Sequence, residues 1–236
     1  MGQVMISGVA PQMNVPIALP PIGTALNDMT WEQIRDISDA GKASNYFVVG
    51  DTKNITLDGV SYPVQIIGFN HDTKTDGGTA GITFQLVDCL NTTYPMNSSN
   101  TNVGGWKSSA MRTRMDTFFS QLPSDLQSAI KAVNKLVSVG NNTSTIETVS
   151  DKLFLLSEVE IMGSNYYSFA GEGSQYAYYQ ASNSKVKKVN GSANAWWGRS
   201  PVNDSGETYF CSINSEGRQS IGEASNRYGV SFAFCV

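Results

Sequence analysis

Trp196-Trp197-Gly198-Arg199-Ser200-Pro201, the polar residues 202–228, and then Gly229-Val230-Ser231-Phe232-Ala233-Phe234-Cys235-Val236 form the stretch from which the rest of the chain is read. Aromatic and aliphatic residues crowd both ends and ask for burial. Between them lie Asn203, Asp204, Ser205, Glu207, Thr208, Glu216, Arg218, Glu223, Asn226 and Arg227, which ask for water. One short apolar run, Tyr209-Phe210-Cys211-Ser212-Ile213, divides this insert. Two stiff anchors around exchangeable polar side chains are the arrangement of a binding site, because loops carry function when a scaffold fixes their ends.

The remainder of the chain bounds that reading. At 236 residues it is long enough for one large domain with a substantial core. A net charge of −4 with only 15% charged residues offers no basic stripe to a phosphate backbone, so no nucleic-acid partner is expected. Polarity comes from Asn, Ser, Thr and Gly, which suits turns and short strands. No window of 18 apolar residues is present, so neither a membrane span nor a secretory leader is expected. Cys89, Cys211 and Cys235 lack the paired spacing of a zinc or redox site and read as buried free thiols, with a Cys211–Cys235 bridge the alternative.

Residues 1–28 contain Pro11, Pro16, Pro20 and Pro21 and read as an extended arm suited to docking on a neighbouring subunit. Thr30 and Gln33 have capping-box spacing, and Trp31, Ile34 and Ile37 share a helical face before Gly41. A strand is expected over 46–49, and a hairpin over 55–62 turning at Asp58-Gly59. Further strands are expected over 64–69 and 82–87. His71-Asp72-Thr73-Lys74-Thr75-Asp76-Gly77-Gly78 matches a calcium loop only in part and fails at Lys74 and Thr83, so no metal is expected.

A second helix is expected after Ser108 or Ser109, with Met111, Met115, Phe118 and Phe119 on its apolar side. A third, capped by Ser124, carries Leu126, Ile130, Val133 and Val137 at helical spacing. Residues 152–156 read as a buried strand, followed by a short turn at Met162-Gly163. The tyrosine-rich segment 164–190 reads as a long connection able to touch a sugar or a protein or to cover the core, with Lys185, Lys187 and Lys188 as a solvated patch.

Several strings in one order carry a resemblance that spans Trp31 to Val236. They include Thr30-Trp31-Glu32-Gln33-Ile34, Ile66-Ile67-Gly68-Phe69-Asn70-His71-Asp72, Gly105-Trp106-Lys107-Ser108-Ser109, Lys152-Leu153-Phe154-Leu155-Leu156-Ser157-Glu158 and the closing Trp-Trp-Gly-Arg-Ser-Pro block. They resemble an uncharacterised domain family of gut Firmicutes and their phages. The closing block also resembles the end of C-type-lectin-like folds, which include the formylglycine-generating-enzyme branch and the variable proteins of diversity-generating retroelements.

That resemblance implies an α+β, C-type-lectin-like domain over 29–236, with short strands, two or three helices, long loops and a variable-type segment at 196–236. It implies a non-enzymatic ligand- or receptor-binding protein of a phage or prophage virion, located on the virion or a cell surface. Val202, Asn203, Asp204, Glu207, Thr208, Tyr209, Glu216, Arg218, Glu223, Asn226 and Arg227 would meet the ligand. Trp196, Trp197 and Arg199 would be framework, with Arg199 tied to backbone carbonyls or to Glu158 or Glu160. Expected partners are a protein or glycan on a host or neighbouring cell, and other virion subunits through the arm, with a homotrimer as the assembly. No cofactor is expected. The alternatives are a virion decoration subunit without a ligand, and an enzyme of the formylglycine-generating kind. The enzyme would need a reactive pair from Cys211 and Cys235, and His71, the sole histidine, has no credible triad partners.

Overall fold

Thr30 starts the first helix by closing a reciprocal cap. Its hydroxyl accepts from the Gln33 N–H at 3.2 Å while the Gln33 side chain accepts from the Thr30 N–H at 2.9 Å. Helix α1 (Trp31–Asp39) follows, and its Trp31, Ile34 and Ile37 are buried. This geometry comes from a computed structural model that describes residues 18–204 and 206–236. Most of the expected arm, residues 1–17, lies outside that range. The end of the arm packs on its own domain: Leu26 is buried, Tyr46 OH donates to Pro20 O at 2.9 Å, and Lys53 Nζ donates to Asn27 O at 3.2 Å.

The expected strand at 46–49 does not form. Helix α2 (Ala43–Tyr46) ends there, and a turn follows in which Asp51 Oδ2 accepts the Val48 N–H at 2.9 Å. Strands β1 (Thr52–Leu57) and β2 (Val60–Phe69) make the hairpin expected at Asp58-Gly59, both residues holding positive φ. The stretch 60–69 is one strand instead of two. Its sheet continues through β3 (Ile82–Leu86) and closes with β6 (Leu153–Phe154) and β12 (Ala233–Cys235) in the order β1-β2-β3-β12-β6. The last strand of the chain therefore occupies an interior position, antiparallel to both neighbours. Phe84 and Phe234 stack at 5.3 Å, and the Trp31 ring meets each edge-on.

Helices α3 (Gly105–Ser108), α4 (Ala110–Gln121) and α5 (Ser124–Ala129) come next, with the Ser109 hydroxyl accepting from Arg112 N at 3.0 Å to cap α4. Helix α5 stops short of the expected length. Val133 and Val137 belong to β4 (Val133–Ser138), paired with β5 (Ile146–Asp151). A separation of four suits a helix and a strand equally, and the inward residue between the two valines is Lys135, which hides the alternation.

Just before the turn expected at Met162-Gly163, helix α6 (Glu158–Met162), which was not expected, forms. The Ser157 and Glu160 side chains cap it reciprocally, and Gly163 ends it in the left-handed region. Helix α7 (Ala177–Gln180) and strands β7 (Lys187–Val189) and β8 (Ser192–Asn194) interrupt the expected long connection. Lys187 is buried, not solvated, because Nζ donates to Leu86 O at 2.6 Å and Val87 O at 2.8 Å. Strands β9 (Trp196–Pro201), β10 (Tyr209–Ile213) and β11 (Gln219–Glu223) form a second antiparallel sheet in the order β11-β10-β9. The chain is thus a mixed α+β fold with several small antiparallel sheets. Among the described residues no helix is long and apolar enough to cross a membrane, and the three cysteines are free and buried.

Candidate ligand-binding face

The two C-terminal anchors brace each other. Trp197 N donates to Gly229 O at 3.0 Å and Gly229 N to Ala195 O at 2.8 Å, which ties the start of β9 to the run leading into β12. Both tryptophans are buried. Trp196 Nε1 donates to Lys185 O and Trp197 Nε1 to Tyr94 O, so neither polar edge is left unbonded. Trp197 lies 4.5 Å from the Tyr228 ring, and the backbone of Gly222 runs against both rings. A Cβ there would sit 2.4 Å from Tyr228 and 2.8 Å from Trp197.

Behind this pair runs a buried row of alternating charges. Arg199, fully enclosed, meets both oxygens of Glu160 through Nη1 and Nη2 and donates to the carbonyls of Leu155, Leu136 and Glu172. Lys135 Nζ reaches Asp72 Oδ1 at 2.6 Å, Glu160 Oε1 at 2.7 Å and Tyr176 OH at 3.1 Å. Its three donors thus have three partners. Thr83 and Tyr176 complete the shell of Asp72. Burial alone would raise the carboxyls of Asp72 and Glu160, but Lys135 beside Asp72, and Arg199 with Lys135 beside Glu160, hold both below the usual range. Burial dominates at Glu172 and pushes its carboxyl up. The row joins β4, α6, β9 and the loop before β3.

Asp72 therefore faces inward against Lys135 and does not line a cation loop. Among the described residues no group of three or more His, Cys, Asp or Glu side chains is arranged to hold a metal. Burial also pushes the Cys89 thiol up to about 12 and those of Cys211 and Cys235 well above their ordinary value, which leaves little thiolate near neutral pH. The two thiols proposed for a reactive pair sit in different sheets, on β10 and β12. The His71 ring stacks on Tyr176 at 4.0 Å.

The eleven residues expected to touch a ligand separate on this frame. Val202 is 1% exposed and belongs to the interior, its N–H bonded to Tyr209 O. Asp204, Glu207, Glu216, Arg218 and Arg227 are exposed, and Asn203, Thr208, Tyr209, Glu223 and Asn226 are half-buried. Strand β10 holds them in two groups about 14 Å apart, since a strand rises about 3.4 Å per residue. At one end Asn203, Asp204, Glu207, Thr208, Tyr209, Glu223, Asn226 and Arg227 gather, with Tyr209 opposite Glu223. At the other, Glu216 and Arg218 pair across the β10–β11 turn at 3.2 Å, and Gly217 between them lies against Lys185 and Val186.

The first group borders a loop that sequence reasoning left out of the site. Asn100 Nδ2 donates to Glu223 Oε2 and its Oδ1 accepts from Ser225, Asn102 Nδ2 donates to Tyr209 O, and Arg227 Nη2 donates to Thr93 O. On the other flank, Asn203 N donates to Tyr167 O at 2.8 Å, next to the 66% exposed ring of Tyr166. The buried carboxylate of Glu158 accepts from the backbone of Tyr167 and Ser168 and from the Ser168 hydroxyl, which fixes that tyrosine loop.

Residues 80–236 match the family described as a domain of unknown function, DUF6273. The chain belongs to this family. The DUF6273 match takes in β3 through β12, and with them the frame and the exposed loops above it; α1 and the β1–β2 hairpin lie before it. Among curated proteins and among solved structures nothing matches.

Proposed function

We propose that the DUF6273 region is a non-enzymatic ligand-binding domain of C-type-lectin-like kind, carried on a phage or prophage virion or a cell surface. The β9–β10 loop and the residues after β11 meet a protein or glycan of a host or neighbouring cell. In this reading a retroelement diversifies the exposed positions, and the N-terminal arm attaches the domain to other subunits, as a homotrimer.

One observation carries the proposal. Ten of the named side chains reach solvent, while the frame beneath them forms its ion pairs and bonds its indole donors without their help. The five exposed ones contribute within about 0.5 kcal/mol each to stability, so these positions can change for recognition.

A displayed library tests the reading. Positions 204, 207, 208, 223, 226 and 227 are randomised and panned against bacterial surface polysaccharides and surface proteins. The expected result is undiminished display with binders selected from these positions. Loss of display on randomising them, or enrichment only at buried positions, contradicts it. The diversification element has its own test in the adjoining DNA: a near-copy of the 3′ end differing at adenines, beside a reverse transcriptase gene, is expected, and its absence removes that element.

A further inference from the structure

The groove between the β1–β2 hairpin and α4 contains an arginine that makes no ion pair among the described residues. Leu57, Val60, Tyr62, Leu90 and Phe118 wall a space of about 310 Å³, and Arg114 enters it from α4. The Arg114 guanidinium lies 4.5 Å from the centroid of the Tyr94 ring. Among the described residues it makes no hydrogen bond or ion pair, and its Nε is closed off from water without a partner.

Its unbonded Nη atoms set it apart from other arginines of the chain. Arg112, two residues earlier on the same helix, donates Nε to Asp151 at 2.7 Å and Nη2 to Ser150 O at 3.1 Å, and Arg199, whose Nε also lacks a partner, is bonded at both Nη atoms. Arg227 approaches the same Tyr94 ring at 5.9 Å but donates to Thr93 O. With Nε enclosed, the two Nη groups are the donors open to the groove, and a planar guanidinium edge on a partly enclosed aromatic wall is matched best by a carboxylate, which takes two parallel N–H bonds.

The rest of the lining describes the body attached to that carboxylate. Asn91, Thr92, Thr117 and Gln121 offer amide and hydroxyl groups, and Asp58, on the hairpin turn, offers an acceptor beyond ion-pair distance of Arg114. The Tyr62 and Phe118 rings supply apolar area. Hydroxyl-matching groups around flat rings, in a space at the lower limit for small-ligand sites, suit one sugar ring better than a length of peptide.

We propose that this groove binds a carboxylated pyranose, such as a hexuronate, with its carboxylate on Arg114 and its hydroxyls toward Asp58, Asn91 and Gln121. The proposal rests on the reading of the domain as a binding protein and names a ligand class for it. Arg227 links the groove to the first group of exposed loop residues through Tyr94.

The test is calorimetric titration of the full chain with glucuronate, glucose and N-acetylglutamate at low salt. Glucuronate is expected to bind saturably, with the other two at least tenfold weaker. Arg114→Gln and, as a second variant on the rim, Gln121→Ala are each expected to weaken glucuronate binding, the first at least tenfold, with the melting temperature held within a few degrees. Arg218→Gln, at the far end of β10, is expected to change nothing. Equal binding of all three probes, or unchanged glucuronate binding in Arg114→Gln, overturns the proposal. Equal binding of glucuronate and N-acetylglutamate overturns the assignment to a sugar. If glucuronate fails while the displayed library yields binders, the groove proposal falls and the binding reading stands; if both fail, both fall.

Discussion

Lys135 is the residue on which the interior turns, because it stands between two buried carboxylates that have no other way to be neutral together. Removing one partner of a buried pair leaves a charge stranded in a low dielectric and costs about 3–5 kcal/mol. Lys135→Met is therefore expected to lower the unfolding free energy by that amount in urea titration, and a loss under about 1 kcal/mol contradicts the network. Its pH dependence follows from the signs. The folded-state values of Asp72 and Glu160 lie below their unfolded ones, so their contribution is complete above the unfolded values near pH 4 and declines as pH falls toward the folded ones. The urea midpoint should drop on acidification below about pH 4, and a flat midpoint from pH 7 to pH 3 contradicts this. Lys187 acts in the opposite window. Burial lowers it from 10.5 to about 8, so between those values the unfolded chain holds a proton that the folded chain has released. Its contribution to stability rises with pH there, and Lys187→Met should remove that rise.

At the scale of elements, β12 and β11 make the sharpest predictions. Strand β12 lies inside the five-stranded sheet, so deleting residues 232–236 is expected to abolish cooperative unfolding as followed by near-ultraviolet circular dichroism. Gly222→Ala on β11 places a methyl within 2.8 Å of Trp197, and overpacking of this kind costs about 1–3 kcal/mol. Where the sequence signals were local, the elements were legible: the Thr30 cap, the Asp58-Gly59 turn, the Ser109 cap, and the apolar runs that become β10 and β12. Ser157 and Glu160 carry the same capping-box spacing that announced α1, and that signal was available for α6. The end of α5 was not legible, because the alternation of β4 runs through Lys135 and only long-range partners make a lysine an inward residue. Two-group placement of the loop residues was equally hidden, since it depends on how far β10 separates its ends. Val202 looked like part of the polar insert because its neighbours are polar, yet the β9–β10 pairing draws it inside. Tyr94 and Arg114 carry no sequence pattern, and only packing brings them beside Arg227.

At the scale of the whole molecule, the proposed reading has a frame held by its own ion pairs and an outer set of loops whose side chains the frame does not need. The charge row, the braced anchors and the buried β12 belong to the frame; the loops after β9 and β11 and the turn before β11 belong to the outer set. The most direct measurement is equilibrium urea unfolding of a combined Glu207→Ala, Glu216→Ala, Arg218→Ala and Arg227→Ala variant beside the unaltered chain. At about 0.5 kcal/mol or less per exposed site, the loss should stay below about 2 kcal/mol with an unchanged slope. A loss as large as the about 3–5 kcal/mol of a broken buried pair would make these side chains part of the frame and contradict the account.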